Sequence, residues 1–336
     1  MTSLLHPQLV NGVFGDPALY VEFQFEKRAL LFDLGDLHGL SARKLLRVTD
    51  VFISHAHIDH FIGFDQLLRV LVGREATVRL YGPAGIADRI AHKLQGYSWN
   101  LVSRFDTELT FVVTELLDGE RARRVRFRLR AAFAGEDEEE IGVADGVLFR
   151  DAYVTVRAAI MDHQIPCLAF AVEEPVHVNI WKPRLAEHGF PTGPWLAELK
   201  RLVLEGAAED TLVDIPPSEK HGEGVRRKTL GWLRNEVLRV GPGLKIGYVV
   251  DTLYCERNVA RLTALMRDAD ILFIEATFAR EDTERAADRY HLTTEQAGRI
   301  GRAAGAKRLE PFHFSPRYAD EEAQMFREVR EAFEGI

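Results

Sequence analysis

Two short runs near the start of the chain, ALYVEFQF and ALLFDLGD, are apolar with alternating polar positions, and the charged stretch 26–28 separates them. Period-two patterning broken by a turn predicts a hairpin whose second strand ends on Asp33. DVFISH is β-branched and aromatic, a short buried strand. DHFIGFDQLLRVLVG, which follows it, has its apolar residues at helical spacing, so residues 54–60 fall on a strand-to-helix connection. TVRLYGP and AGIADRIAHKLQG repeat that order. LTFVVTEL, RVRFRLRAAF, YVTVRAAIMDH and CLAFAVEE then supply a second series of strands, and the acidic run at 135–140 reads as a solvated loop between two of them. From residue 245 the alternation returns as KIGYVVDT, a helix over 256–266, ADILFIEATF, a helix over 294–304, AKRLEPFH and a final helix from 319. Two halves of this kind predict sheets packed together with helices outside.

Between 174 and about 243 the periodicity fails and Pro and Gly rise. A long stretch without period inside a domain reads as a functional insertion, an arm or a lid, here with one helix over 195–204. The whole chain, 1–336, reads as one domain that carries this insertion.

Composition narrows the chemistry. The chain has 336 residues, 46% of them hydrophobic, enough for a large core. Cys167 and Cys255 are its two cysteines, so a disulfide framework and thiolate metal ligation are both excluded as organising devices. A net charge of −8, from 43 basic and 51 acidic residues, argues against broad electrostatic affinity for nucleic acid but leaves room for a local basic patch. The start of the chain has no leader pattern and no apolar run long enough to span a membrane, which makes a cytoplasmic location, without membrane partners, the expectation.

The loop at 54–60 reads SHAHIDH. In H-x-H-x-D-H, two histidines two apart on an extended turn, His55 and His57, face one metal; Asp59 and His60, at the helix start, face a second beside it. Imidazole and carboxylate suit zinc, or a borderline ion such as manganese. Two such ions about 4 Å apart clamp both oxygens of a displacement at phosphorus. Further ligands must come from other strand ends: His163 closes one apolar run, Asp251 another, and His313 follows a third.

The order H-x-H-x-D-H, lone His, DT, EATF, HLT and last His resembles the metallo-β-lactamase superfamily and, within it, ribonuclease Z, the tRNA 3′-processing endonuclease. GFPTGPWLAELKRL, inside the insertion, resembles the Gly-Pro-bearing exosite arm of that family, which places an arm at 174–208. The resemblance implies an αββα sandwich with a protruding arm and two Zn²⁺, with Mn²⁺ as an alternative. His55, His57 and His163 would hold one ion; Asp59, His60 and His313 would hold the other, with Asp251 bridging. Asp33 would orient a ligand histidine. His291, in YHLTTEQAG, and Glu275, in IEATF, match the family's histidine near the scissile phosphate and its acidic neighbour. With Asp59 they are the catalytic candidates.

The activity implied is cleavage of 3′ trailers from pre-tRNA by a metal-bridging hydroxide, in a homodimer whose arms serve each other's sites. Two alternatives stand beside it: a hydrolase of the same fold acting on a small phosphodiester or ester, and a non-catalytic RNA-binding relative. Four positions depart from the family pattern in the motifs themselves: Ile58 for the usual glycine, Val250 and Ile274 for the usual Gly and His before DT and EAT, and Leu292 for the usual serine. The Pro-x-Lys-x-Arg-Asn loop that the family carries near its N-terminus is replaced by NGVFGDPALYVEF.

Overall fold

A computed structural model describes residues 4–24, 26–218 and 224–336, with position 137 described by its backbone alone. The chain divides into two units. The larger holds His6–Phe149, Val156–Val172 and Lys245–Ile336, and the smaller is built chiefly of Glu173–Leu244.

In the larger unit the expected hairpin forms from Leu19–Phe23 and Ala29–Phe32, in antiparallel register; Phe25, at the end of the expected first strand, lies outside the described residues. Ala29–Phe32 then pairs in parallel with Val48–Phe52, and the sheet continues in parallel through Ala76–Pro83 and Leu109–Leu116. A second sheet carries Thr155–His163 and Ile165–Glu173, followed by Lys245–Val249, Ile271–Glu275 and Leu309–Phe312, the last three mutually parallel. Aromatic rings join the two sheets: Phe32 lies 5.7 Å from Phe170 and 5.6 Å from Tyr248 between centroids, and Phe52 lies 5.7 Å from Phe170.

Helices cover the outer faces because their apolar positions recur every three and four residues. Phe64–Leu71 buries Phe64, Leu67, Leu68 and Leu71, which pack with Ile90 and Leu94 of Ile86–Gln95 against Leu31, Val51 and Leu80. On the other side Leu262, Ala297, Ile300 and Val329, from three helices, pack against Val249, Leu272 and Ile274. Burying each such leucine or isoleucine contributes about 1.5–3 kcal/mol. Helix, sheet, sheet, helix is the αββα sandwich read from the sequence.

Two expectations need correction. The acidic run at 135–140 is a strand, Gly135–Gly142, paired antiparallel with Arg121–Arg128. Its glutamates meet arginines across the ladder, Glu139 on Arg124 at 2.7 Å and Glu136 on Arg128 at 2.6 Å. Cross-strand charge pairing offsets the low β-propensity of a polyacidic segment. The same pairs neutralise the basic strand, whose buried positions alternate with wet ones as its period-two pattern predicts.

The stretch expected to hold a single helix is instead a folded unit. The helix Trp195–Leu204 is present with its expected bounds, but Lys182–Glu187 and Leu230–Val237 are helical too. Val176–Ile180 pairs with Leu238–Pro242, and Leu212–Ile215 with Arg226–Thr229. Val178, Leu185, Trp195, Leu199, Leu233 and Val237 form its own apolar cluster. These elements are short and their partners far apart in sequence, so no single stretch carries a visible period. The segment at 174–208 is therefore only part of the unit.

Candidate metal centre

The site residues of the larger unit lie where parallel strands end. Asp33 follows Ala29–Phe32, His55 follows Val48–Phe52, Asp251 follows Lys245–Val249, Glu275 closes Ile271–Glu275, and His313 follows Leu309–Phe312. Side chains at the carboxyl ends of parallel strands converge on one rim. His57 caps the short helix Ile58–Phe61, which carries Asp59 and His60.

All seven residues read as ligands come together. Potential ligand atoms of His55, His57, His163 and Asp251 lie within 4.8 Å of one another, as do those of Asp59, His60 and His313. Asp251 stands between the groups. One of its carboxylate oxygens is 3.5 Å from His55 Nε2 and 3.4 Å from His163 Nε2; the other is 3.5 Å from His60 Nε2 and 3.1 Å from His313 Nδ1. Asp59 reaches His313 Nε2 at 3.4 Å and His60 Nε2 at 3.5 Å.

The donor atoms are arranged for something other than each other. His55 Nε2, His60 Nε2, His313 Nδ1 and Asp251 Oδ1 are buried without a hydrogen-bond partner among the described residues. Four such orphans in one cluster would cost several kcal/mol if nothing engaged them. The electrostatics point the same way. Burial opposes charge on His60, but Asp251 and Asp33 outweigh it and hold its pKa well above the ordinary histidine value. His313 is likewise carried against burial to about 9 by Asp251 and Asp59. Burial alone would raise the pKa of Asp59 and of Asp251, yet the neighbouring histidines hold both below the usual carboxylate range. The cluster calls for positive charge, which protons supply in a metal-free chain and divalent cations supply when bound. Nitrogen and carboxylate donors in this number fit such ions.

A further set of contacts fixes the ligands, and most of it was not read from the sequence. Asp33, wholly buried, sits 2.9 Å from His60 Nδ1 and accepts from Ser54 N at 2.6 Å, Ser54 Oγ at 2.8 Å and Tyr248 OH at 3.0 Å. Ser54 Oγ also lies 3.0 Å from His55 Nδ1. The Tyr290 carbonyl is 2.8 Å from His163 Nδ1. A partner on the far nitrogen turns each imidazole and fixes its tautomer. Asp33, Gln164, Tyr290 and His313 all have φ between 56° and 61°, a left-handed region costly for residues other than glycine. Each lies in or directly beside the site, where the surrounding structure holds the strain.

His291 stands beside the cluster, its Nδ1 2.9 Å from Glu275 Oε2. Glu275 is itself held by Thr277 Oγ1 at 2.7 Å and by Thr252 N at 2.8 Å. Burial opposes protonation of His291, but Glu275 and Asp251 raise its pKa above the ordinary value. Glycine lets the loops close over the site: a Cβ on Gly63 would stand 2.2 Å from the Gly35 carbonyl oxygen. Of the four departures from the family motifs, Ile58 is 75% exposed beside the ligands, whereas Val250, Ile274 and Leu292 are buried and contribute packing.

Comparison with known proteins agrees with this geometry. Residues 21–134 match the family model of the metallo-beta-lactamase superfamily, and residues 203–314 that of the beta-lactamase superfamily domain. A ribonuclease Z of Deinococcus radiodurans is 35% identical over 98% of this chain and 96% of its own. The chain belongs to the ribonuclease Z family. Among solved structures, human tRNase Z, short form, aligns with a TM-score of 0.51 at 19% identity over 93% of this chain and 91% of its own. The metallo-beta-lactamase fold protein YhfI of Bacillus subtilis aligns at 0.53 and 15%, over 97% and 91%. The fold is the metallo-β-lactamase fold, and this family member is a metal-dependent hydrolase of the endoribonuclease kind. Among the described residues no helix is long and apolar enough to cross a membrane.

Proposed function

We propose that the chain removes 3′ trailers from pre-tRNA by hydrolysing one phosphodiester bond, with two metal ions held around Asp251. In this reading His55, His57 and His163 would hold one ion and Asp59, His60 and His313 the other, with Asp251 available to both. Zinc suits the set and manganese is the alternative. The observation that carries the reading is the convergence of orphaned, buried His and Asp atoms on both oxygens of one carboxylate. When bound, the ions supply Lewis-acid charge against phosphate oxygens and make water acidic enough to attack at neutral pH.

The protein groups do the rest. Asp59, held ionised, stays an acceptor and orients the attacking water; its depressed pKa makes it a poor proton store. His291, with Nδ1 on Glu275, keeps Nε2 for the substrate, and against the effect of burial Glu275 and Asp251 favour its protonated form. Protonated, it donates a proton to the departing 3′ oxygen as the phosphorus–oxygen bond breaks, and the proton shed by the attacking water leaves to solvent. The upstream piece then ends in a 3′ hydroxyl and the trailer begins with a 5′ phosphate. Glu275 stabilises the imidazolium and fixes its orientation. The smaller unit, containing the arm-like segment 174–208, contacts RNA, and the active form is a cytoplasmic homodimer.

The test sets metal-loaded protein on end-labelled pre-tRNA with a 3′ trailer beside bis-p-nitrophenyl phosphate. Cleavage at the trailer junction, leaving a 3′ hydroxyl, is expected. Hydrolysis of the small diester alone would move the substrate away from tRNA and favour the small-phosphodiester alternative.

A further inference from the structure

The segment that resembles the exosite arm offers RNA little positive charge. On the helix Trp195–Leu204, Arg201 is paired with both Glu198 and Glu205. Lys200 is half-buried, and that burial lowers its pKa. Most other cations of the smaller unit are also engaged: Arg184 by Glu187 and Glu236, Arg227 by Asp214, Arg234 by Glu209, and Arg226 by the carbonyls of His188 and Gly189. Lys228 is exposed, with its Nζ 4.7 Å from the centroid of the Trp232 ring and no ion-pair partner among the described residues, and a polyanion binding this unit needs countercharge beyond this one lysine.

One groove supplies it. It measures about 620 Å³ along the ribbon Val176–Ile180/Leu238–Pro242, and among the described residues no carboxylate lines it. Asn179 sits opposite Arg239 in the ribbon register, on the face turned away from the buried Val178. Arg239 and Lys182 both line the groove and are exposed, and neither has an ion-pair partner among the described residues. The Arg239 guanidinium lies 4.3 Å from the centroid of the Trp181 ring. Stacking on tryptophan restrains a long side chain without neutralising it, so less freedom is lost when a phosphate arrives.

We propose that this groove is a phosphate clamp for the RNA substrate, with Arg239 and Lys182 each meeting a backbone phosphate and Trp181 holding Arg239 in place. The clamp rests on the functional reading above and relocates the unit's RNA contact from the arm-like helix to the ribbon. A chain of net charge −8 needs such a local site to hold a polyanion. Because the contact is to the backbone, it reads no base sequence.

The test measures pre-tRNA binding and cleavage by the full, metal-loaded chain carrying Lys182→Glu and Arg239→Glu, with Arg201→Ala as the comparison. The double variant is expected to weaken RNA affinity on the order of tenfold or more and to flatten log K against log salt by about 1.4–1.8. Its hydrolysis of bis-p-nitrophenyl phosphate should stay unchanged, which shows that the larger unit folds, and a circular dichroism spectrum and urea-unfolding curve matching wild type show that the smaller unit does. Arg201→Ala should change RNA affinity less than twofold. Unchanged affinity and salt slope in the double variant, or a larger loss in Arg201→Ala, overturns the clamp alone. Failure of the wild-type chain to bind pre-tRNA, with small-diester hydrolysis intact, overturns the functional reading and the clamp together.

Discussion

Asp33→Asn isolates the contribution of the contacts behind the ligands. The Asp33 carboxylate serves Ser54 N, Ser54 Oγ, Tyr248 OH and His60 Nδ1 at 2.6–3.0 Å, with no exposure to water. Asparagine has the same shape and tolerates the left-handed backbone at φ 56°. It replaces one acceptor oxygen with an amide donor, set against groups that already donate. At least one buried hydrogen bond is lost and one donor faces another, a destabilisation of about 1–3 kcal/mol. His60 meanwhile loses the charge that orients its ring, and removing such a support typically lowers metal affinity or activity about 10–100-fold. Metal affinity is read by chelator competition, stability by urea denaturation of the metal-free protein, and turnover on a small diester. The expected result is a fall of at least about tenfold in metal affinity, beyond what the stability loss explains. Affinity and turnover within twofold of wild type would refute the argument, because Asp33 would then be a turn residue that happens to touch His60.

His291→Ala should lower kcat on RNA about 10²–10⁴-fold while metal content and KM stay near wild type, because the residue acts as a proton donor and not as a ligand; metal analysis beside steady-state kinetics checks both halves. Gly63→Ala should destabilise the chain by about 1–3 kcal/mol in urea, since its Cβ would meet the Gly35 carbonyl oxygen and backbone cannot step aside as a side chain does. Glu328, in the larger unit, loses some of its ionised form to burial, but hydrogen bonds from Thr294 and the Arg280 amide dominate and lower its pKa from 4.5. A depressed folded-state carboxyl stabilises above its unfolded value and loses that contribution as pH falls through the folded one. The difference in unfolding free energy between wild type and Glu328→Gln should therefore be constant near neutrality and shrink below about pH 4.5, as denaturation curves at several pH values would show.

The parts of the site visible in the sequence are those where one residue type has one chemical meaning at a fixed spacing. His55, His57, Asp59 and His60 share a loop of seven residues, and His163, Asp251 and His313 each end an apolar run. Their convergence comes from strand ends of two packed sheets, the loop at 54–60 following a strand of the first and His163, Asp251 and His313 ending or following strands of the second. The supports were not visible because they are ordinary residues in ordinary runs: nothing in KIGYVVD marks the hydroxyl of Tyr248 as reaching Asp33 from 215 positions away. The Tyr290 carbonyl has no side-chain signature at all, although the adjacency of Tyr290 to His291 was a cue. The acidic strand 135–142 was misread because a run of glutamates alone is a poor strand, and its partners lie in the preceding arginine-rich strand. In the smaller unit, short elements paired across 60 residues, Val176 with Pro242 for instance, left no local period to read.

The most direct measurement is single-turnover cleavage of end-labelled pre-tRNA by wild type and Asp251→Asn, with the metal content of each sample determined in parallel. Asp251 touches both halves of the cluster, through one oxygen to His55 and His163 and the other to His60 and His313. The account predicts two ions per wild-type chain, cleavage at the trailer junction, and loss of both ions and cleavage in a variant that remains folded. A variant that keeps cutting at the wild-type rate without bound metal would contradict it.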